Sequence, residues 1–210
     1  IQAEVSYKKY KEKFHFVPFC VDTSFWKRDD SKKIKRTKIL FIGNDGRREY
    51  DLVLEIAKAL PQYEFLLITS NIEETLINSD NVTLIKGSWN KRVLTDQQLR
   101  DFYHEGLLSI IPIKNTYQPS GQSVTLQAMS CERPVIISKT KGFWDNQRFI
   151  NNKHLCFVEN NSFDGWVSKF SKIYNDDAYL VKLEKTGKNL IESDFTIKEF
   201  EKKLLNYMGL

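Results

Sequence analysis

Ile39-Leu40-Phe41-Ile42-Gly43-Asn44-Asp45-Gly46 is the stretch on which the fold turns. Four consecutive apolar residues read as a strand buried on both faces. The Gly-Asn-Asp-Gly run after them is a turn. Beyond it Tyr50, Leu52, Val53, Ile56, Ala57 and Leu60 recur at helical spacing until Pro61 stops the helix. The same alternation repeats downstream. Phe65-Leu66-Leu67-Ile68 and Val82-Thr83-Leu84-Ile85 read as strands, the second ending at Gly87. Thr95 caps a helix through Leu99, Phe102 and Tyr103, with Gln98 as its capping-box partner. Leu107 to Ile113 is a strand, Gly121 to Cys131 a helix, and Val135-Ile136-Ile137 a strand begun at Pro134. Leu155-Cys156-Phe157-Val158 is the last strand. Ser162 to Tyr207 is helical, with Ser162 and Thr196 as caps and Gly187 as a weak point. Strands and helices alternating through short connections predict an α/β fold, a single Rossmann-like doubly wound parallel sheet over residues 37–210.

Upstream the pattern is different. Residues 1–13 are polar and lysine-rich, with Tyr7 and Tyr10 spaced for one helix face. His15-Phe16-Val17-Pro18-Phe19 is a short extended run followed by Cys20-Val21-Asp22-Thr23. A basic connector from Lys27 to Lys38 leads into the sheet. Its one aromatic, Trp26, lies at its edge and does not interleave with the charges, so the connector reads as a solvated linker and not a nucleic-acid stripe. Residues 1–36 are therefore expected to be a leading segment and linker. The start at Ile1 instead of Met fits a fragment or a processed chain.

The chain has 210 residues, enough for a full core without staples. With 41% hydrophobic and 28% charged residues it has the balance of ordinary globular domains, which excludes disordered and collagen-like classes. The net charge of +5 favours anionic partners without choosing among them. Cys20, Cys131 and Cys156 are odd in number and lack C-x-x-C spacing, so zinc-ribbon and thioredoxin readings fail and a reducing compartment is expected. His15, His104 and His154 have no metal-ligand spacing with Cys, Asp or Glu. No apolar run is long enough for a signal peptide or a membrane span.

In a doubly wound sheet ligands bind beyond the carboxyl ends of the strands. Two segments there carry chemistry. The first is Gly43-Asn44-Asp45-Gly46-Arg47-Arg48, where glycines permit close backbone approach and Arg47 and Arg48 at a helix mouth can neutralise a phosphate. It is neither a G-x-G-x-x-G fingerprint nor a P-loop. The second is Pro112 to Ser123, where Ser120 reads as an N-cap and Gly121, Gln122 and Ser123 offer unpaired N–H groups, an anion site by construction. One turn further on, the Gln127 amide can reach a ribose hydroxyl.

Leu99-x-x-Phe102-Tyr103, then Ser120-Gly121-Gln122, then Leu126-Gln127-Ala128-Met129-Ser130-Cys131-x-x-Pro134-Val135-Ile136 resembles the signature of group 1 glycosyltransferases, the retaining, family 4-like enzymes of GT-B fold that use nucleotide-diphospho-sugars. Val17-Pro18-Phe19-Cys20-Val21-Asp22 resembles the Val-Pro-Asn-Gly-Val-Asp segment that leads into their C-terminal domain. The resemblance runs over most of the chain from there. It implies the donor-binding domain of a glycosyltransferase, without the N-terminal acceptor domain that completes the enzyme. It assigns the diphosphate to Arg47 or Arg48, although the family's Gly-Arg dipeptide reads Gly43-Asn44 here. The family's second motif glutamate, a ribose contact, matches Gln127. The first, beside the donor sugar, matches Pro119 or Gln118, so both acids are absent. Gly121-Gln122-Ser123 replaces the family's Gly-Phe-Gly and keeps its backbone donors. In such enzymes the base packs near the loop that here follows Lys86-Gly87-Ser88, so the resemblance offers Trp89 for stacking on it, and Gly142-Phe143-Trp144-Asp145 stands where the family often has a glycine-rich loop.

The expected donor-binding set is Gly43, Arg47, Arg48, Gly87, Trp89, Ser120, Gly121, Gln122, Ser123 and Gln127. Catalytic residues are unassigned, and neither a metal nor another cofactor is expected. The expected partners are a UDP- or GDP-sugar and the missing N-terminal domain. No nucleic acid is expected. The expected location is cytoplasmic, with peripheral contact to the inner face of the membrane through the full-length protein. Alone, the chain is expected to turn over slowly or not at all. The alternative is a non-catalytic nucleotide- or phosphosugar-binding module, which the missing glutamates favour.

Overall fold

The computed structural model describes residues 13–29, 31, 36–87 and 94–210. The helix face expected of Tyr7 and Tyr10, most of the basic connector, and the base contact expected of Trp89 lie outside the described residues. The elements run β1 (Lys38–Ile42), α1 (Tyr50–Ala59), β2 (Glu64–Ile68), β3 (Val82–Ile85), α2 (Asp96–Glu105), β4 (Gly106–Ile111), α3 (Gln122–Ser130), β5 (Val135–Ser138), β6 (Cys156–Val158), α4 (Phe163–Tyr174), α5 (Asp177–Asp194) and α6 (Ile197–Met208). The six strands form one sheet of order β3-β2-β1-β4-β5-β6, parallel at each pairing. All the apolar runs read as strands in the sequence take part.

Side chains alternate across each strand, which explains the unbroken apolar runs. Leu40, Ile42, Leu66 and Ile68 face one layer with Tyr103 of α2 and Val124, Leu126 and Met129 of α3. Ile39, Phe41, Phe65 and Leu67 face the other with Val53 and Ile56 of α1 and Trp166 and Phe170 of α4. Both faces are covered, as a parallel sheet requires. Two connections depart from strict alternation. β2 reaches β3 through a single 3-10 turn, Glu74–Leu76, and β5 reaches β6 through helix-free chain.

Three of the four expected caps sit where the sequence puts them, at Thr95, Ser162 and Thr196. Thr95 and Gln98 form the reciprocal capping box, and Ser162 and Thr196 accept from Gly165 and Glu199 amides. The segment just ahead of the basic connector is tied to the domain. Val21 donates its amide to Phe195 O at 2.8 Å. Trp26 is only 7% exposed and stands edge-on to Tyr103, because a large ring buried there gains more than any exposed position would give it.

Gly187 is a packing position and not a weak point. A Cβ there would lie 3.1 Å from His154 O and 3.2 Å from Met129 Cε, so the missing side chain is what lets α5 approach α3. Ordinarily Gly→Ala inside a helix gains about 0.5–1 kcal/mol. Here Gly187→Ala is expected to gain nothing, and Gly187→Val to lose about 1–3 kcal/mol by overpacking. Urea unfolding checks both, and a full propensity gain for the alanine variant would contradict the packing.

Candidate functional site

The chain runs outward from β1 to β2 and β3, then returns to lay β4 on the other side of β1. The loops after β1 and β4 therefore diverge to opposite faces and leave a crevice at the carboxyl edge between them. Both segments singled out in the sequence meet there. They are stitched by backbone: Arg48 and Ile113 form an antiparallel bridge, Glu49 N donates to Pro112 O at 3.1 Å, and Lys114 N donates to Arg47 O at 2.8 Å.

Adjacent residues of an extended segment point opposite ways, so the two arginines have different fates. Arg48 turns inward and is 3% exposed. Its Nη1 donates to Ser120 Oγ at 2.8 Å, Ser120 Oγ donates to Asp45 Oδ2 at 2.8 Å, and Nη1 stands 3.7 Å from Asp45 Oδ2. Burial lowers the Arg48 pKa and the Asp45 carboxylate opposes it. Nε finds no acceptor because it lies flat against Gly43, where a Cβ would come within 2.3 Å. Gly121 closes the other side of the slot, its would-be Cβ 3.4 Å from Nη1. Arg48 is thus the strut of the crevice, its charge largely matched by Asp45. Arg47 turns outward. Its Nε donates to Gln118 Oε1 at 3.1 Å, and its terminal nitrogens meet no acceptor among the described residues.

Ser120 is not the N-cap of α3, contrary to the sequence reading. Its hydroxyl is engaged by Arg48 and Asp45, and Gly121 takes the capping position in a left-handed conformation, φ +78°, without any side-chain cap. The first helical bond is Thr125 N to Gly121 O at 2.9 Å. The amides of Gln122 and Ser123 therefore stay without acceptors among the described residues, and the helix dipole adds partial positive charge to them. A bare helix start of this kind can accept an anion, and Arg47 is tied to the loop that leads into it through Gln118.

The other expected residues are placed around it. Gln127 is half-buried, its Oε1 accepting from the Tyr103 hydroxyl at 3.3 Å, which leaves the amide nitrogen to donate. Gly87 is buried, and its carbonyl accepts from Asn44 Nδ2 at 2.5 Å and from Ser70 Oγ. Asn44 was not singled out in the sequence. Its Oδ1 accepts from Thr69 Oγ1 at 3.1 Å and Ser70 N at 2.6 Å, and its carbonyl accepts from Asn71 Nδ2 at 2.9 Å. It ties the β1 loop to those after β2 and β3, and its only sequence signal is an Asn in a Gly-bounded turn. Asp145 is unavailable to any ligand, being buried and bonded to Arg148. Gly142 matters through its backbone, whose amide donates to Thr116 O at 2.8 Å and whose would-be Cβ would strike the Tyr117 carbonyl at 2.4 Å. Among the described residues no cluster of His, Cys, Asp or Glu could hold a metal ion, and no helix is long and apolar enough to cross a membrane.

The fit of Arg48 between two glycines is testable by a double-mutant cycle. Gly43→Ala is expected to cost about 1–3 kcal/mol of stability by displacing the guanidinium. The cost is expected to fall below about 0.5 kcal/mol when Arg48 is already Ala, since the clash then has no partner. Equal costs in both backgrounds, read by urea unfolding, would contradict the slot.

No protein-family model matches the chain, and no curated protein matches it. Solved structures do. A sucrose-phosphate synthase from Thermosynechococcus elongatus superposes with a TM-score of 0.77 at 16% identity, over 99% of this chain and 56% of that one. The C-terminal domain of a group 1 family glycosyl transferase from Francisella tularensis superposes at 0.66 and 16%, over 84% of this chain and 99% of that domain. Anabaena HepE, solved with UDP, superposes at 0.72 and 11%, over 90% of this chain and 56% of that one. The chain spans about half the length of the full-length proteins it resembles. The fold is that of the C-terminal, Rossmann-like half of GT-B glycosyltransferases.

Proposed function

We propose that this chain is the donor-binding half of a glycosyltransferase that takes its sugar from a nucleotide-diphospho-sugar with retention at the anomeric carbon. The observation that carries the reading is the uncapped start of α3, preceded by the loop whose Gln118 holds Arg47, at the carboxyl edge of a GT-B half-fold. A diphosphate bridging the helix start and Arg47 meets the Gln122 and Ser123 amides on one side and a guanidinium edge on the other. As the glycosidic bond breaks, charge grows on the leaving diphosphate. Fixed donors aimed at that position stabilise it without reorganising. These donors supply the charge compensation that a metal gives elsewhere, so the proposal includes no obligatory metal. The Gln127 nitrogen is the proposed donor to the ribose, a reading supported by the Tyr103 hydroxyl, which holds Oε1 and leaves the nitrogen free to donate. Anabaena HepE has been solved with UDP and with UDP and glucose, which supports a uridine nucleotide among the donors to try first.

The acceptor and the groups above the donor sugar belong to an N-terminal domain in this proposal. The isolated chain then binds donor and turns over slowly or not at all. The proposed location is cytoplasmic, with any membrane contact made by the full-length protein. A second reading, a non-catalytic nucleotide- or phosphosugar-binding module, is favoured by the absence of both acids that the resemblance expects, at Gln127 and at Pro119 or Gln118, the last of which is occupied in holding Arg47.

Calorimetric titration with UDP, GDP, ADP and CMP, without and with magnesium, tests the binding claim. One diphosphate is expected to bind selectively. Arg47→Ala is expected to weaken it about 10- to 100-fold, the worth of a charge-assisted bond. A folded chain that binds none of the four, or an Arg47 variant that binds like wild type, would refute the site. Turnover after joining to an N-terminal half separates the enzyme from the binding module.

A further inference from the structure

Asn161 lies on the β6 side of the sheet, away from the two loops that form the crevice, yet it grips them both. It occupies the left-handed region at φ +51°, directly after Asn160 at +53°. Asn reaches this region more readily than most non-glycine residues, but a run of two is uncommon, and something must hold it. The holding groups are visible. Asn161 Oδ1 accepts from Trp166 Nε1 at 2.9 Å and from Ser138 Oγ at 2.7 Å. Asn161 Nδ2 donates to Ile113 O at 3.2 Å and to Glu49 Oε1 at 3.4 Å. Ser138 Oγ, at the end of β5, accepts from Ile113 N at 2.7 Å.

Both backbone groups of Ile113 are therefore clasped, one directly by Asn161 and one through Ser138. Ile113 is the residue that bridges Arg48, and its neighbours Pro112 and Lys114 make the flanking bonds to Glu49 and Arg47. Glu49 is itself touched by Asn161. Beside the side-chain contacts of Arg48 with Ser120 and of Arg47 with Gln118, this one amide holds the backbone of the Arg47–Arg48 segment against the loop that leads to α3. We propose that Asn161 is the positioning residue of the anion site, acting through Ile113 and Glu49 to hold the Arg47–Arg48 segment at diphosphate-binding height. It touches no ligand. The proposal rests on the donor-binding reading for its consequence and on hydrogen bonds alone for its mechanism.

Asn161→Gly is the informative variant, since glycine keeps φ positive without strain and removes only the side-chain bonds. Ser138→Ala is the second, cutting the relay to Ile113 N while leaving the Asn161 backbone untouched. Trp166→Phe is the control, removing one bond to Asn161 and none to Ile113. Two readouts are needed. In native-state hydrogen exchange the Glu49 and Lys114 amides are expected to exchange about tenfold faster in Asn161→Gly and Ser138→Ala, and near wild-type rates in Trp166→Phe, while β1 and β4 stay protected. In calorimetry with the pairs UDP/UMP and GDP/GMP, the diphosphate member is expected to bind about tenfold more weakly in the first two variants, with the monophosphate within about twofold of wild type.

Unchanged exchange at Glu49 and Lys114 in Asn161→Gly overturns the proposal. So does an equal loss for monophosphate and diphosphate, which makes the residue structural only. A wild-type chain that binds no nucleotide refutes the donor-binding reading before any variant is made, and exchange alone then decides the clasp.

Discussion

One guanidinium group, that of Arg48, organises the carboxyl edge of this sheet. A cation buried to 3% exposure is costly unless matched, and here it is matched by Asp45 through Ser120 and shaped on both sides by glycines. Much follows from that arrangement. Ser120 is committed to it and cannot cap α3. Gly121 must take a left-handed conformation to bring the chain past Nη1 into the helix. The amides of Gln122 and Ser123 are left for something else to satisfy. The bareness of the helix start, on which the proposed anion site rests, is thus a consequence of an ion pair buried beside it.

The sheet was legible in the sequence because burial on both faces writes a strand as an unbroken apolar run, and all six runs pair as strands. Caps made within a few residues, such as Thr95 with Gln98, were legible for the same local reason. What could not be read depends on long-range contact. Ser120 has the composition of an N-cap, yet a side chain 72 residues away takes its hydroxyl. Gly187 reads as a flaw in a helix until His154 and Met129 are seen against it. Arg47 and Arg48 are chemically identical neighbours. Only the antiparallel bridge to Ile113 decides that one faces in as a strut and the other faces out as a cation.

The crevice also explains how a chain lacking both motif carboxylates can keep a coherent polar site. Gln127, at a position that the family resemblance gives to an acid, has its oxygen held by Tyr103, and Gln118, which shares with Pro119 the match to the other acid, has its oxygen held by Arg47. An amide oriented through its oxygen presents its nitrogen as donor. In the proposed site these amides act as donors, which suits anionic and hydroxyl oxygens on a ligand. Around it Asn44, Asn71 and Asn161 carry much of the loop-to-loop bonding. Asn serves here because one side chain supplies both donor and acceptor and tolerates the turn conformations that these loops need.

The most direct test of the account is amide chemical-shift mapping of the folded chain during titration with a nucleoside diphosphate, using UDP and GDP in turn. The account predicts that the largest shifts fall on Gly121, Gln122 and Ser123, together with the Arg47 Nε–H. Shifts centred instead on the groove at the opposite edge of the sheet, lined by Arg36, Tyr63, Glu64 and Tyr174, would contradict it, and would place anion binding where the fold provides no open helix start.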